Sequence, residues 1–506
     1  MSISLLLEMA MSADPDRTAV VSGDVRLTTQ QLSDLADGGA GLITRSAASH
    51  VAYVGLGGAM LPLLMFASAR AGVPFTPINY RLSAEGIKAL IARLPEPLVV
   101  ADSRYLDELG GLDGLADIAK RVIVSDDFLT YARDAEPAAE FADPDSVGIV
   151  LFTSGTTSQP KAVELTHNNL TSYVTGTVEF GSAEPTDAAL ICVPPYHIAG
   201  VSAVLSNLYA GRKMVYLPVF DPEEWVGLVD AEQVTSATVV PTMLDRIVTV
   251  LQQGKQHRLS SLRNLAYGGS KVPLPLVRKA LELLPHVGFV NAYGLTETSS
   301  TIAVLTPDDH REAQGAGDPA VLRRLASVGQ PVPSIEVQIR DENGTVLPAG
   351  ETGELFVRGE QVSGRYTGIG SVLDAEGWFP TKDIATLDAG GYLFIGGRSD
   401  DTIIRGGENI APAELEDVLV EHPHVRVVAV VGVEDPQWGQ AIVAVVVPAA
   451  GADPDPEELR EHVRKSLRGS RTPDRVVFRD ELPTNATGKV LRRDIVEELR
   501  AATAEQ

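Results

Sequence analysis

Over its first two-thirds the chain alternates short β-branched runs with longer amphipathic stretches, and this alternation narrows the fold more than any other feature. Val99–Val100 before Asp102, Arg121–Val124, Ala189–Val193, Lys213–Leu217 and Ser236–Val240 read as strands, while Pro222–Ala231 and Pro275–Leu284 read as helices. Strands alternating with helices imply βαβ units and largely parallel sheets. Val51–Ala69 carries no charge and is long enough to suggest a membrane span, but it contains Gly55, Gly57, Gly58 and Pro62. A strand, a turn and a core helix account for it better. Ala313–Arg324 is rich in Gly and Ala and is expected to be a loop. From Gly353 the pattern changes to closely spaced short strands, Gly353–Arg358 and Gly390–Ile395, predicting a small β-rich subdomain. Beyond Gly396-Gly397-Arg398, the segments Pro412–Leu419, Val425–Val431, Ala441–Val447, Pro456–Leu467 and Arg475–Phe478 read as helix, strand, strand, helix, strand, with a surface loop at Ala449–Asp455.

At 506 residues the chain exceeds what one hydrophobic core organises. The expected class is α/β. A large N-terminal domain, residues 1–398, combines mixed, largely parallel sheets flanked by helices with the β-rich subdomain. A small mobile α+β C-terminal domain, residues 399–506, follows a hinge at Asp400.

The formal net charge of −25 opposes nucleic-acid and anionic-membrane binding, so any phosphate-bearing ligand needs a local cationic site. The single cysteine, Cys192, excludes an internal disulfide and a multi-cysteine metal cluster, and its apolar surroundings predict a buried thiol. Met1–Met11 has no basic region and carries Glu8, a poor signal peptide, so a cytoplasmic location is expected.

The segment Thr153-Ser154-Gly155-Thr156-Thr157-Ser158-Gln159-Pro160-Lys161 follows the apolar run Val147–Phe152. Hydroxyls, a glycine and a lysine after a strand can cradle phosphate oxygens, although the same residues also build ordinary polar turns. It is not a Walker A loop, because Pro160 stands where that pattern requires glycine. A dinucleotide fingerprint at Gly55-Leu56-Gly57-Gly58 also fails, since Met60 stands at the third glycine position.

Further segments occur in order along nearly the whole chain: Tyr267-Gly268-Gly269-Ser270, Ala292-Tyr293-Gly294-Leu295-Thr296-Glu297-Thr298, Gly377-Trp378-Phe379 leading to Asp383, Gly397-Arg398-Ser399-Asp400-Asp401, Gly406-Gly407-Glu408-Asn409-Ile410 and Pro483-Thr484-Asn485-Ala486-Thr487-Gly488-Lys489. Together with the Thr153–Lys161 segment they resemble the adenylate-forming superfamily, in its acyl-CoA synthetase and aryl-CoA ligase branch.

The resemblance implies an ATP- and Mg2+-dependent ligase that joins a small-molecule carboxylic acid to CoA through an acyl-adenylate. It implies nucleotide contacts from Thr153, Ser154, Gly155, Thr156, Thr157, Lys161, Gly268, Gly269, Ser270, Asn291, Ala292, Tyr293, Gly294, Asp383 and Arg398. Tyr293 would face adenine, Asp383 the ribose hydroxyls, Thr296 the α-phosphate, and Glu297 the metal. Lys489 would bridge carboxylate and α-phosphate. Rotation about Asp400 would then exchange Lys489 for a CoA channel at Arg405, Gly406 and Gly407. Ser158, Ala162 and Lys382 stand where the family commonly has glycine.

By the same resemblance the acid lies near His197, as a gate or wall, with Ile198, Ala199, Val201, Ala292, Gly294 and Leu295. No cation stands among these, which argues against dicarboxylates and amino acids and favours a fatty acid, with an aromatic acid as the alternative. Loading of a carrier protein instead of CoA is a further alternative. A non-catalytic regulator fits poorly, because Glu297 and Lys489 are intact. No integral membrane segment is expected, and a homodimer is left open.

Overall fold

The structure, a computed structural model, describes residues 1–138, 142–153, 160–253, 259–406, 408–467, 469–485 and 488–504. The expected phosphate-loop residues Ser154, Gly155, Thr156, Thr157 and Ser158, and the channel residue Gly407, lie outside this set.

Two large sheets dominate. In the nine-stranded sheet, Thr18–Ser22, Lys213–Tyr216, Ala188–Ile191, Ser236–Val239, Asn264–Gly268 and Gly288–Leu295 run parallel, with antiparallel strands at both edges. In the eight-stranded sheet, Val147–Thr153, Phe75–Pro77, His50–Val54, Pro97–Ala101 and Arg121–Val124 are parallel, and Lys161–Thr166 returns antiparallel. Pleating sends alternate side chains of one strand into two cores: Val20, Met214 and Tyr216 join Leu205, Phe66 and Leu32, whereas Val21, Val215 and Leu190 join Trp225, Leu244 and Leu281. A sheet buried on both faces gives the near-continuous apolar runs seen in the sequence.

A four-stranded antiparallel sheet, Glu336–Arg340, Thr352–Arg358, Phe379–Leu387 and Leu393–Arg398, forms the β-rich subdomain. The small C-terminal domain holds the hairpin Ile403–Arg405/Glu408–Ile410 and a three-stranded sheet of Val425–Asp435, Gly439–Pro448 and Arg475–Phe478. Among the described residues, no helix is long and apolar enough to cross a membrane. Val51–Ala69 is the strand His50–Val54 and the buried helix Met60–Arg70, and Cys192 is buried.

One expectation fails. Ala313–Arg324 is not a loop but part of the helices Pro307–Gly315 and Pro319–Leu322 and the turn Arg323–Ala326. The starting signals lie outside the Gly/Ala-rich window or are single residues within it. Thr306 and Asp309 form a capping box, and Asp318 caps the second helix. His310 anchors the first helix by a 2.8 Å contact with the Tyr267 hydroxyl.

Burial pushes His50, His167 and His197 down to about 4. An unfolded histidine takes its proton near 6.5, so each contributes stability that is complete above that pH and is lost as pH falls towards about 4. For His50, only 3% exposed and 2.7 Å from the Thr76 hydroxyl, the full effect is about 3 kcal/mol. His50→Gln should therefore reduce proton uptake on unfolding at pH 5 by about one proton. Calorimetry in buffers of different ionisation heat measures this, and an unchanged uptake would mean that His50 titrates normally.

Candidate active site

A cleft of about 1370 Å3 opens where the parallel strands of the nine-stranded sheet end. Its walls include Val193, Val240, Gly268, Gly269 and Leu295 from strand ends, Thr153 and Lys161 from the other large sheet, and Arg398, Asp400 and Lys489 from the junction with the C-terminal domain. The crevice beyond the carboxyl ends of parallel strands is where α/β sheets place ligands.

Of the expected acid-pocket residues, His197, Ile198, Ala199 and Leu295 line the cleft, as do Ala292 and Gly294. Val201 does not. It points from the opposite side of the helix Ile198–Ala210 into the core between the sheets and is fully buried. His197 precedes that helix in extended conformation, with its ring centroid 4.6 Å from that of Tyr196. Its Nε2 is buried without a hydrogen-bond partner. Burial foremost, and then Arg81, keeps the imidazole neutral. A neutral ring with an unpartnered nitrogen suits contact with a bound acid better than charge neutralisation.

Gly268 is required by a neighbouring strand, since a Cβ there would lie 2.1 Å from the Ala292 carbonyl oxygen. Thr296 and Glu297 sit on a single 3-10 turn, Thr296–Thr298, and both line the cleft. The Tyr366 hydroxyl donates to Glu297 Oε1 at 2.8 Å, and Lys161 Nζ lies 5.5 Å from the centre of the Tyr366 ring. This tyrosine thus links the lysine of the phosphate-loop segment to the carboxylate suited to Mg2+. Nothing in its sequence neighbourhood marks it. A two-residue strand, Arg365–Tyr366, brings it beside Val163. Glu297 fits a magnesium ion, which takes one or two carboxylates and completes its shell with phosphate and water oxygens.

Asp383 and Arg398 face each other across paired strands, with Arg398 Nη1 3.3 Å from Asp383 Oδ1. Burial raises the Asp383 pKa despite Arg398, whose charge opposes that shift. The Tyr293 ring packs against the β-rich subdomain core and its hydroxyl donates to Asp383, while Ala292 and Gly294 line the cleft. Asn291 also turns away, giving its amide to the Ser327 carbonyl at 3.1 Å, and Ser270 does not line the cleft. Lys382 adopts φ +64°, so the commonly glycine position before the aspartate does hold left-handed backbone. Ala162 is ordinary buried strand opposite Phe152 and needs no glycine.

Lys489 closes the cleft from the C-terminal domain. Its N–H donates to Asn485 Oδ1 at 2.9 Å, and Gly488 before it has φ +74°. A Cβ on Gly488 would meet the Thr242 side chain at 2.6 Å, so the turn seats closely on the large domain. Desolvation lowers the Lys489 pKa, with Arg398 adding to the effect and Asp401 and Asp383 opposing it. The side chain still meets the solvent of the cleft. Arg405 and Gly406 do not line the cleft in this arrangement; Arg405 pairs with Asp474 at 2.6 Å.

Residues 7–367 match the family described as AMP-binding enzyme, and residues 414–489 match its C-terminal domain. The chain belongs to this family. The indoleacetate–CoA ligase of Aromatoleum aromaticum is 31% identical over 98% of both chains. The feruloyl-CoA synthase of an Amycolatopsis species is 34% identical over 95% of this chain and 96% of its own. The o-succinylbenzoate CoA synthetase of Bacillus subtilis, solved with its acyl-adenylate intermediate, superimposes with a TM-score of 0.81 at 27% identity, covering 97% of each chain. This enzyme is an ATP-dependent, AMP-forming acid–thiol ligase that uses Mg2+ and CoA and passes through an acyl-adenylate.

Proposed function

We propose that this ligase activates an oxygen-bearing aryl or arylalkanoic acid in preference to a plain fatty acid. The observation that carries this reading is the polarity of the inner cleft, whose lining includes Ser202, Ser206, Asn207, Thr238 and Arg212. Ser202 and Asn207 already bond within the protein, to Ser300 at 3.1 Å and to the Ala203 carbonyl at 2.8 Å, but an alkyl tail would bury the Ser206 hydroxyl and the Arg212 guanidinium without partners, which costs free energy for each one left unpaired. The named substrates of the relatives, indoleacetate, ferulate and succinylbenzoate, support it further.

In this reading Lys489, Thr296 and the Thr153–Lys161 segment hold the reacting carboxylate and phosphates, and Glu297 holds Mg2+. Asp383 and Arg398 take the ribose, and Gly268, Gly269, Ala292 and Gly294 form the adenine side. His197 lies against the acid. The metal would neutralise phosphate charge when bound. Residues 1–398 and 399–506 are the units that rotate about Asp400 to bring Arg405 and Gly406 to the acyl-adenylate. ATP and CoA as co-substrates favour a cytoplasmic setting.

The test is pyrophosphate release from a panel of cinnamate, 4-hydroxycinnamate, indoleacetate, octanoate and dodecanoate, with and without CoA. Aryl acids should exceed the alkanoates in kcat/KM by about tenfold or more, and thioester should form only with CoA. A clear preference for dodecanoate would return the substrate to the fatty-acid class, and acyl transfer only to a carrier protein would replace CoA as the acceptor.

A further inference from the structure

The cleft continues well beyond the reacting end. Ile198, Ala199, Ser202, Ala203, Ser206 and Asn207 line it, recurring at helical spacing along one face of Ile198–Ala210. That helix has 13 residues and so spans about 20 Å from His197 to its far end. There Gly211 turns left-handed at φ +82°, and the Arg212 N–H returns to the Asn207 carbonyl at 2.8 Å. Arg212 therefore stands at the end of the cleft opposite Lys489, and it also lines the cavity.

Its neighbours are satisfied. Lys213 Nζ pairs with Glu232 at 2.9 Å, Arg263 pairs with Asp187, and Arg26 pairs with Glu232. The Arg212 guanidinium has no hydrogen-bond acceptor or carboxylate among the described residues, and its half-buried position lowers its pKa through desolvation alone. Six positions earlier, on the cleft-lining side of the helix, Ser206 Oγ is buried with no hydrogen-bond partner. Two unmet donors lining one cleft call for an acceptor that the protein does not supply.

We propose that Arg212, assisted by the Ser206 hydroxyl, binds a second oxyanion at the far end of the acid, a carboxylate or phenolate on the order of 15 Å from the carboxylate that is activated. The proposal rests on the ligase reading above and makes the acid a two-headed one. One head is adenylated, and the other is read by a fork of guanidinium donors suited to a planar carboxylate. It also reverses the expectation against dicarboxylates, because the cation missing among the six residues near His197 lies deeper, after the helix.

The experiment compares acids matched in length: 4-(carboxymethoxy)cinnamate against 4-propoxycinnamate, and dodecanedioate against dodecanoate. Pyrophosphate release is measured with the wild type, Arg212→Met, Arg212→Lys and Ser206→Ala. The wild type should favour the two-headed member of at least one pair by roughly tenfold to a hundredfold in kcat/KM. Arg212→Met should abolish or invert that ratio, Arg212→Lys should restore part of it, and Ser206→Ala should reduce it severalfold. A wild type that prefers the single-headed acids, or an Arg212→Met enzyme that keeps the wild-type ratio, overturns the assignment. The Arg212→Lys and Ser206→Ala ratios decide the matter if Arg212→Met does not fold. Release with single-headed acids alone leaves the ligase reading standing, whereas no release with any acid overturns that reading instead.

Discussion

Lys489→Ala is expected to lower acid-dependent pyrophosphate release by about a hundred- to a thousandfold while leaving thioester formation from supplied acyl-adenylate within severalfold of wild type. The first half-reaction brings a carboxylate to a phosphate, and the chain as a whole carries a net charge of −25. Local cations must therefore offset both anions. Lys161 and Arg398 of the large domain and Lys489 of the C-terminal domain are among the cations that line the cleft, whereas Lys382, Arg492 and Arg493, which also line it, are paired with Glu354, Glu416 and Asp494. Removing a preorganised donor of this kind costs two to three orders of magnitude in other enzymes. Because Gly488 sits so close to Thr242, the lysine is placed by contact between the domains and, under the proposed rotation, would leave when that contact opens. Measuring both half-reactions separately checks the prediction, and equal loss in both would show that Lys489 does not leave the site between them.

Asp400→Pro is expected to give a burst approaching one pyrophosphate per site, followed by accumulation of bound acyl-adenylate and little thioester. Asp400 is the middle residue of the 3-10 turn Ser399–Asp401, closed by the Thr402 N–H to the Ser399 carbonyl at 3.2 Å. Such turns hold φ near −50 to −70°, the range in which proline is fixed, while the large φ/ψ changes of a hinge become inaccessible. The substitution thus fits the arrangement with Lys489 in the cleft and opposes departure from it. Rapid-quench measurement of pyrophosphate, adenylate and thioester decides the outcome. Full steady-state thioester production by a folded variant would place the pivot elsewhere.

What the sequence made legible follows from which interactions are local. The strands of the two large sheets are buried runs of Val, Ile, Leu and Ala, and their period survives without knowledge of their partners. The expected segments of the C-terminal domain also fall on observed elements, although its last helix, Arg492–Ala504, was not foreseen. The motif residues that face the cleft, Thr296, Glu297, Arg398 and Lys489, were found through their order along the chain. Tyr366 was not, because it reaches Glu297 only through a two-residue strand pairing 203 positions away from its partner Val163 in the chain. Tyr293 stands in a plain motif, but the bond from its hydroxyl to Asp383 could not be read from the sequence, because the two residues are 90 positions apart. Arg212 was readable in principle, as a cation just past a helix-ending glycine. Only the three-dimensional course of the cleft distinguishes it from an ordinary charge beside a helix terminus.

The chain has three tryptophans, and their environments differ sharply. Trp225 and Trp378 are sealed in the large domain, whereas Trp438 is 42% exposed on the small one, lying against Gly406 and beneath the Arg405 guanidinium at 4.6 Å. Domain rotation would carry that indole towards the cleft with the hairpin it covers, while the other two keep their surroundings. The enzyme therefore holds its own optical reporter: collisional quenching by acrylamide samples chiefly Trp438 and would follow the proposed rotation in unlabelled protein during turnover.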